Sequence, residues 1–294
     1  MLRGSIPALA TPFNKSGKPC KRTYKKLINW HIKSGSDGIL VAGCTGESFT
    51  LTEKERDELL SLAVETAKGK IPVIMGTGAS STAVAVDRTK RAKKIGADYA
   101  LVITPFANKP TQAALEKYFL EVAEVGLPII LYNVPSRTGT NLAPETVCRL
   151  AEHPNIVAIK EASGSLDAVS AIISCAPEDF VVLSGDDSLT LPMLALGARG
   201  VVSTVANIAP KEFAQMVRAF EEGDLETARQ IHFRLFPVIK ALFVEGNPVP
   251  LKAAMAMMGL CEERLRPPLT PASENTKKLL EKVLKEAGLI EQKS

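Results

Sequence analysis

The chain has 294 residues, 46% of them hydrophobic, with 36 basic and 32 acidic side chains that leave a net charge of +4. That composition can bury a large core, and a net charge this small beside 68 charged residues gives no reason to expect a nucleic-acid partner. No apolar run reaches the 18 residues of a membrane span, and the opening residues lack a signal-peptide pattern, so a cytoplasmic location is expected.

Short, β-branched apolar runs alternate with amphipathic segments. The first run covers residues 5–11, and Gly35 stops the helix that follows it. A second strand is expected at 38–42, then a helix opened by the capping box Thr52-Glu53-Lys54-Glu55. The third strand, 72–76, leads into a helix bearing Arg88, Lys90, Arg91, Lys93 and Lys94. These cations precede Gly96, where they suit the negative end of the helix, so the cluster reads as a solvated helix end, with a phosphate or partner site as the alternative. Further strands are expected at 99–103, 128–132, 156–160, 180–184 and 200–204, with Pro144 and Pro210 at first helical positions. Beyond about residue 224 only helices are expected, at 225–244, 250–258 and 275–287.

Eight nearly continuous apolar strands, each followed by a helix, are the pattern of parallel strands covered by helices. The expected fold is α/β: a (β/α)8 TIM barrel over residues 1–224 and a C-terminal helical subdomain over 225–294. Periodicity alone leaves a doubly wound sheet open as the alternative.

In such a barrel the chemistry lies at the C-terminal ends of the strands. Lys160 ends the run Ile156-Val157-Ala158-Ile159-Lys160, and alternation turns it inward if Ala158 points inward. An amine at an apolar barrel mouth loses affinity for its proton and becomes a nucleophile. Position alone also fits a lysine that merely ends a strand and reaches water. Tyr132 ends the preceding strand and, by the same alternation, shares a layer with Lys160. Residues 43–48 form a small-residue turn with a thiol, Cys44, and a hydroxyl, Thr45, suited to holding a carboxylate. Asp186-Asp187 reads as helix capping. Gly76-Thr77-Gly78 is too short for a dinucleotide fingerprint. The histidines, His31, His153 and His232, lack ligand spacing, so no metal is expected. Five cysteines without paired spacing argue against a disulfide framework.

Read in chain order, the informative segments are Gly4-Ser5 near the start, the strand ends Thr11-Pro12-Phe13, residues 43–48, Gly76-Thr77-Gly78, Tyr132-Asn133-Val134-Pro135-Ser136-Arg137-Thr138-Gly139, Ile159-Lys160-Glu161-Ala162 and Ser184-Gly185-Asp186-Asp187, and Asn247-Pro248 beyond the last strand. Together they resemble the dihydrodipicolinate synthase/N-acetylneuraminate lyase family over the whole chain, and Arg137 resembles the synthase branch. The resemblance implies a lyase of the class I aldolase type that needs no cofactor and serves lysine biosynthesis by the diaminopimelate route. Lys160 would form an imine with pyruvate, Tyr132 and Cys44 would relay protons, and Thr45 would hold the pyruvate carboxylate. Arg137 would bind the carboxylate of aspartate 4-semialdehyde, and Gly185 and Val202 would line the pocket. A homotetramer, built as a dimer of dimers, is also implied.

Two positions depart from the family pattern. Cys44 stands where the family has the first threonine of a pair. Phe106-Ala107 stands where it has two aromatics ending in a tyrosine that enters the neighbouring subunit's site. These departures keep two other readings open: a sister 2-keto-3-deoxy sugar acid lyase, and a catalytically impaired homologue.

Overall fold

The computed structural model describes residues 2–291. Its strands are β1 (Gly4–Pro7), β2 (Ile39–Val41), β3 (Val73–Gly76), β4 (Tyr99–Ile103), β5 (Ile129–Asn133), β6 (Ile156–Glu161), β7 (Val181–Ser184) and β8 (Gly200–Ser203). The barrel helices are α1 (Lys21–Lys33), α2 (Glu53–Ala67), α3 (Thr82–Ile95), α4 (Gln112–Ala123), the single turn α5 (Pro135–Thr138), α6 (Pro144–Ala151), α7 (Leu166–Cys175), α8 (Thr190–Ala195) and α9 (Pro210–Glu221). Helices α10 (Leu225–Ala241), α11 (Val249–Met257) and α12 (Glu274–Glu286) follow. No helix among the described residues is long and apolar enough to cross a membrane.

All neighbouring strands pair in parallel, in the order β1-β8-β7-β6-β5-β4-β3-β2. The two edges then meet, with Ala8 bridging Leu40 and the Leu9 N–H donating to the Leu40 carbonyl at 3.0 Å. This closure removes the doubly wound alternative. The alternation expected of strands divides their side chains cleanly. Ile6, Leu40, Ile74, Leu101, Ile130, Ala158 and Val202 face one another inside the barrel, while Ile39, Val73, Val102, Leu131 and Ile159 pack outward against the helices. The regular part of β1 is shorter than the expected 5–11: beyond Pro7 only the Ala8 and Leu9 N–H groups still bond to β8 and β2, and Thr11 turns its hydroxyl onto the Gly46 carbonyl at 2.7 Å.

Local signals act as the sequence predicts. Thr52 and Glu55 form the reciprocal capping box of α2. Gly96 closes α3 in the left-handed region at φ 104°, where a side chain would be strained. Within the basic cluster, Arg88 pairs with Glu53, Arg91 with Asp57, and Lys93 donates to the Val125 carbonyl. The cysteine reading needs a correction: Cys148 on α6 and Cys175 at the end of α7 are disulfide-bonded, their Cα atoms 5.9 Å apart. The two helices flank β6 in the chain, and 27 residues of separation hide the pairing from any local spacing rule.

Candidate active site

Lys160 points into the barrel mouth from β6, directly opposite Tyr132 of β5 in the parallel register. Its ammonium lies 4.3 Å from the centroid of the Tyr132 ring, and the side chain is buried. Burial, above all, lowers the lysine pKa to about 8. Cys44 and Asp187 oppose that shift, and the Arg137 guanidinium reinforces it. Burial likewise pushes the Tyr132 phenol well above its usual range, and its contact with Cys44 adds to the effect. The phenol therefore keeps its proton at neutral pH and can lend it.

One residue outward on the same strands, the Asn133 amide donates to Glu161 Oε2 at 3.0 Å, and the Ser163 N–H donates to the other carboxylate oxygen at 2.5 Å. The first bond ties β5 to β6 beside the two reactive side chains, and the second fixes the carboxylate that accepts it.

The turn 43–48 presents Cys44 and Thr45. Gly46 N–H donates to Gly43 O at 3.0 Å and Glu47 N–H to Cys44 O at 3.0 Å. A Cβ on Gly46 would stand 2.8 Å from the Leu9 carbonyl, so the turn can approach the segment after β1 only with glycine there. Thr45 is buried, and its Oγ1 accepts from the Asn247 amide at 2.9 Å. Gly185 is constrained in the same way, because a Cβ would fall 2.9 Å from Lys160 Cε and 2.7 Å from Ala162 Cβ.

A cavity of about 670 Å³ opens above Lys160, lined by Cys44, Thr45, Tyr132, Arg137, Lys160 and Gly185 among others. Arg137 stands at the exposed rim on α5 and donates to the Asn247 carbonyl at 3.3 Å. Six of the seven residues that the sequence singled out thus share one wall. Val202 does not reach it; it sits deeper, in the barrel's interior stack, and Thr204 lines the cavity from that strand's end. A second cavity of about 480 Å³ adjoins the first, with Cys44 and Tyr132 lining both. Phe106 and Phe49 meet edge-on in its wall, 5.2 Å apart.

Sequence reasoning passed over two contributors. Asp187 is not merely a cap: Asp186 caps the short turn, while Asp187 Oδ2 accepts from the Thr204 N–H at 3.0 Å and the Val205 N–H at 2.9 Å. Burial raises its carboxyl to about 6, against the pull of its hydrogen bonds. Asn247 comes from the segment between α10 and α11; Asn247-Pro248 is part of the family resemblance, but nothing in the sequence ties Asn247 to Thr45.

Fold and cavity together define a (β/α)8 barrel with one buried, partly neutral lysine facing a phenol at its mouth. Residues 1–287 match the dihydrodipicolinate synthetase family, and the chain belongs to that family. It is similar to 4-hydroxy-tetrahydrodipicolinate synthases of Thermodesulfovibrio yellowstonii, 49% identical, and Geotalea uraniireducens, 50% identical. Each match covers 99% of this chain and 100% of the relative. Among solved structures, dihydrodipicolinate synthase from Thermotoga maritima superposes with a TM-score of 0.97 at 44% identity, covering 99% of this chain and 100% of that one. The Acinetobacter baumannii enzyme complexed with pyruvate superposes at 0.96 with 41% identity, again covering 99% and 100%.

Proposed function

We propose that this chain carries out the 4-hydroxy-tetrahydrodipicolinate synthase reaction, condensing pyruvate with L-aspartate 4-semialdehyde through an imine on Lys160. The observation that carries this reading is the buried Lys160 amine, lowered to about 8 and held opposite Tyr132 in a cavity that Thr45 and Arg137 also line. The neutral amine attacks the keto carbon, and water leaves as the imine forms. Tyr132, with Cys44 beside it, supplies and recovers the protons of that exchange. The Thr45 turn seats the keto acid's carboxylate. Loss of a methyl proton gives the enamine, which attacks the aldehyde carbon of the second substrate. Arg137, at the rim, holds that substrate's carboxylate through its guanidinium fork. Attack by the product's own amino group then releases Lys160.

The pyruvate complex of the Acinetobacter baumannii enzyme supports the first substrate. The same reading includes a homotetrameric assembly built as a dimer of dimers, a cytoplasmic location, and a division of the chain at about residue 224 into barrel and helical subdomain. Borohydride reduction with pyruvate should add a stable adduct to Lys160, seen by mass spectrometry of its peptide. Lys160→Ala should abolish it. An adduct on another lysine, or none in the native protein, would refute the reading.

A further inference from the structure

Glu47 and Lys252 form an ion pair that the chemistry above does not use. Glu47 Oε1 lies 2.8 Å from Lys252 Nζ, and neither side chain exposes any surface. Lys252 comes from α11. Its ammonium also donates to the carbonyls of Thr11 and Arg264 and sits 4.3 Å over the Phe13 ring. Burial lowers its pKa, and the Glu47 carboxylate works against that. The other carboxylate oxygen of Glu47 accepts from the Arg266 N–H at 3.0 Å, and Arg266 in turn grips the Thr50 carbonyl at 2.6 Å and Glu55 at 2.8 Å.

The backbone gives this pair its meaning. Glu47 holds φ 54° and ψ 38°, a left-handed conformation that non-glycine residues rarely adopt, so its surroundings must hold it there. It belongs to the same turn as Cys44 and Thr45, and its N–H closes that turn on the Cys44 carbonyl. A buried ion pair is a weak source of stability, since apolar replacements of similar volume often do as well. What an apolar contact cannot supply is direction. Here one ammonium points at a carboxylate and two carbonyls from three separate segments.

We propose that Glu47–Lys252 is a positioning pair: it fixes the backbone of the 43–48 turn from behind, so that Cys44 meets Tyr132 and Thr45 faces the cavity. It thereby sets the affinity for the keto acid's carboxylate, and so rests on the reading of Thr45 given above. Through this pair α11 acts on the turn that carries Cys44 and Thr45.

The test uses the full chain with Glu47→Gln/Lys252→Met, which removes both charges and keeps a carbonyl for the Arg266 N–H. Two quantities are read. One is the pyruvate concentration that half-saturates borohydride trapping on Lys160. The other is the iodoacetamide alkylation rate of Cys44, with Cys20 in the same sample as reference. The double variant should melt cooperatively, form the adduct at saturating pyruvate, and need about tenfold more pyruvate to half-saturate, the scale of a small misplacement in a binding turn. Its Cys44 rate, relative to Cys20, should shift several-fold. If the double variant does not fold, Glu47→Asp, which pulls the carboxylate back by one methylene, carries the same two readings. A folded variant with unchanged half-saturation, whatever its melting temperature, would confine the pair to structural support and overturn the proposal. If the native protein takes no pyruvate adduct, the proposed function falls, and the Cys44 rate alone decides: a shift supports the positioning role, and no shift overturns it.

Discussion

At the scale of single residues, the decisive quantity is the charge on Lys160. A fall from the ordinary 10.5 to about 8 enlarges the neutral fraction at pH 7 roughly 300-fold. The initial rate of pyruvate trapping should therefore rise with pH and level off above about 8. The sign for stability follows from the same shift. The unfolded lysine keeps its proton up to about 10.4, so the cost of burying this group is full below about 8 and relieved as pH climbs between the two values. Asp187 provides the internal check. Its charge raises the Lys160 pKa, so Asp187→Asn should move the midpoint of the trapping profile to lower pH. A midpoint that stays put or moves upward would show that Asp187 does not act on the lysine.

At the scale of elements, strand alternation made the site legible. Because residues two apart share a face, the sequence placed Lys160 and Tyr132 in one layer, and the register pairs them directly. The family resemblance alone puts Val202 in the pocket; it does face the barrel interior, but it lies below the cavity. Asn247, Lys252 and the Cys148–Cys175 bond escaped for another reason. Each joins elements distant in the chain, and no local period encodes such contacts.

The altered relay also belongs to elements, because Cys44 and Ala107 sit on two different turns. Ala107 holds φ 71° with its Cβ already in place, so a tyrosine adds a side chain without new backbone strain. A thiol is a weak hydrogen-bond partner and alanine has no proton to give. Cys44→Thr combined with Ala107→Tyr should raise kcat about tenfold, within the usual reach of a positioned acid or base. The pyruvate KM should change less. The two substitutions should be non-additive, because a relay acts as a unit. Steady-state kinetics on all three variants, with assembly checked by light scattering, reads this; an equal or lower kcat in the double variant would mean that the native site uses a different proton path.

At the scale of the whole molecule, the helices after residue 224 share a core with the barrel's last unit. Val201 of β8 and Phe213 and Val217 of α9 belong to the same buried apolar cluster as Leu235, Val238 and Ile239 of α10, Leu251 of α11, and Leu280 and Leu284 of α12. Burying one such side chain is worth about 1.5–3 kcal/mol. Exposing even five or six of their partners on the barrel would cancel the roughly 5–15 kcal/mol by which a folded domain is stable. The helical part also supplies Asn247 to Thr45 and Lys252 to Glu47. Stability and site geometry thus depend on the same segment. A chain cut after residue 224 should therefore lose its cooperative thermal transition, bind a hydrophobic dye such as ANS, and give no trapped adduct on Lys160. In the intact chain, far-UV circular dichroism and trapping competence should vanish at one temperature. A truncated barrel that melts sharply and leaves the dye dark would show that the eight β/α units fold alone, and the C-terminal helices would then matter only through their contacts at the site.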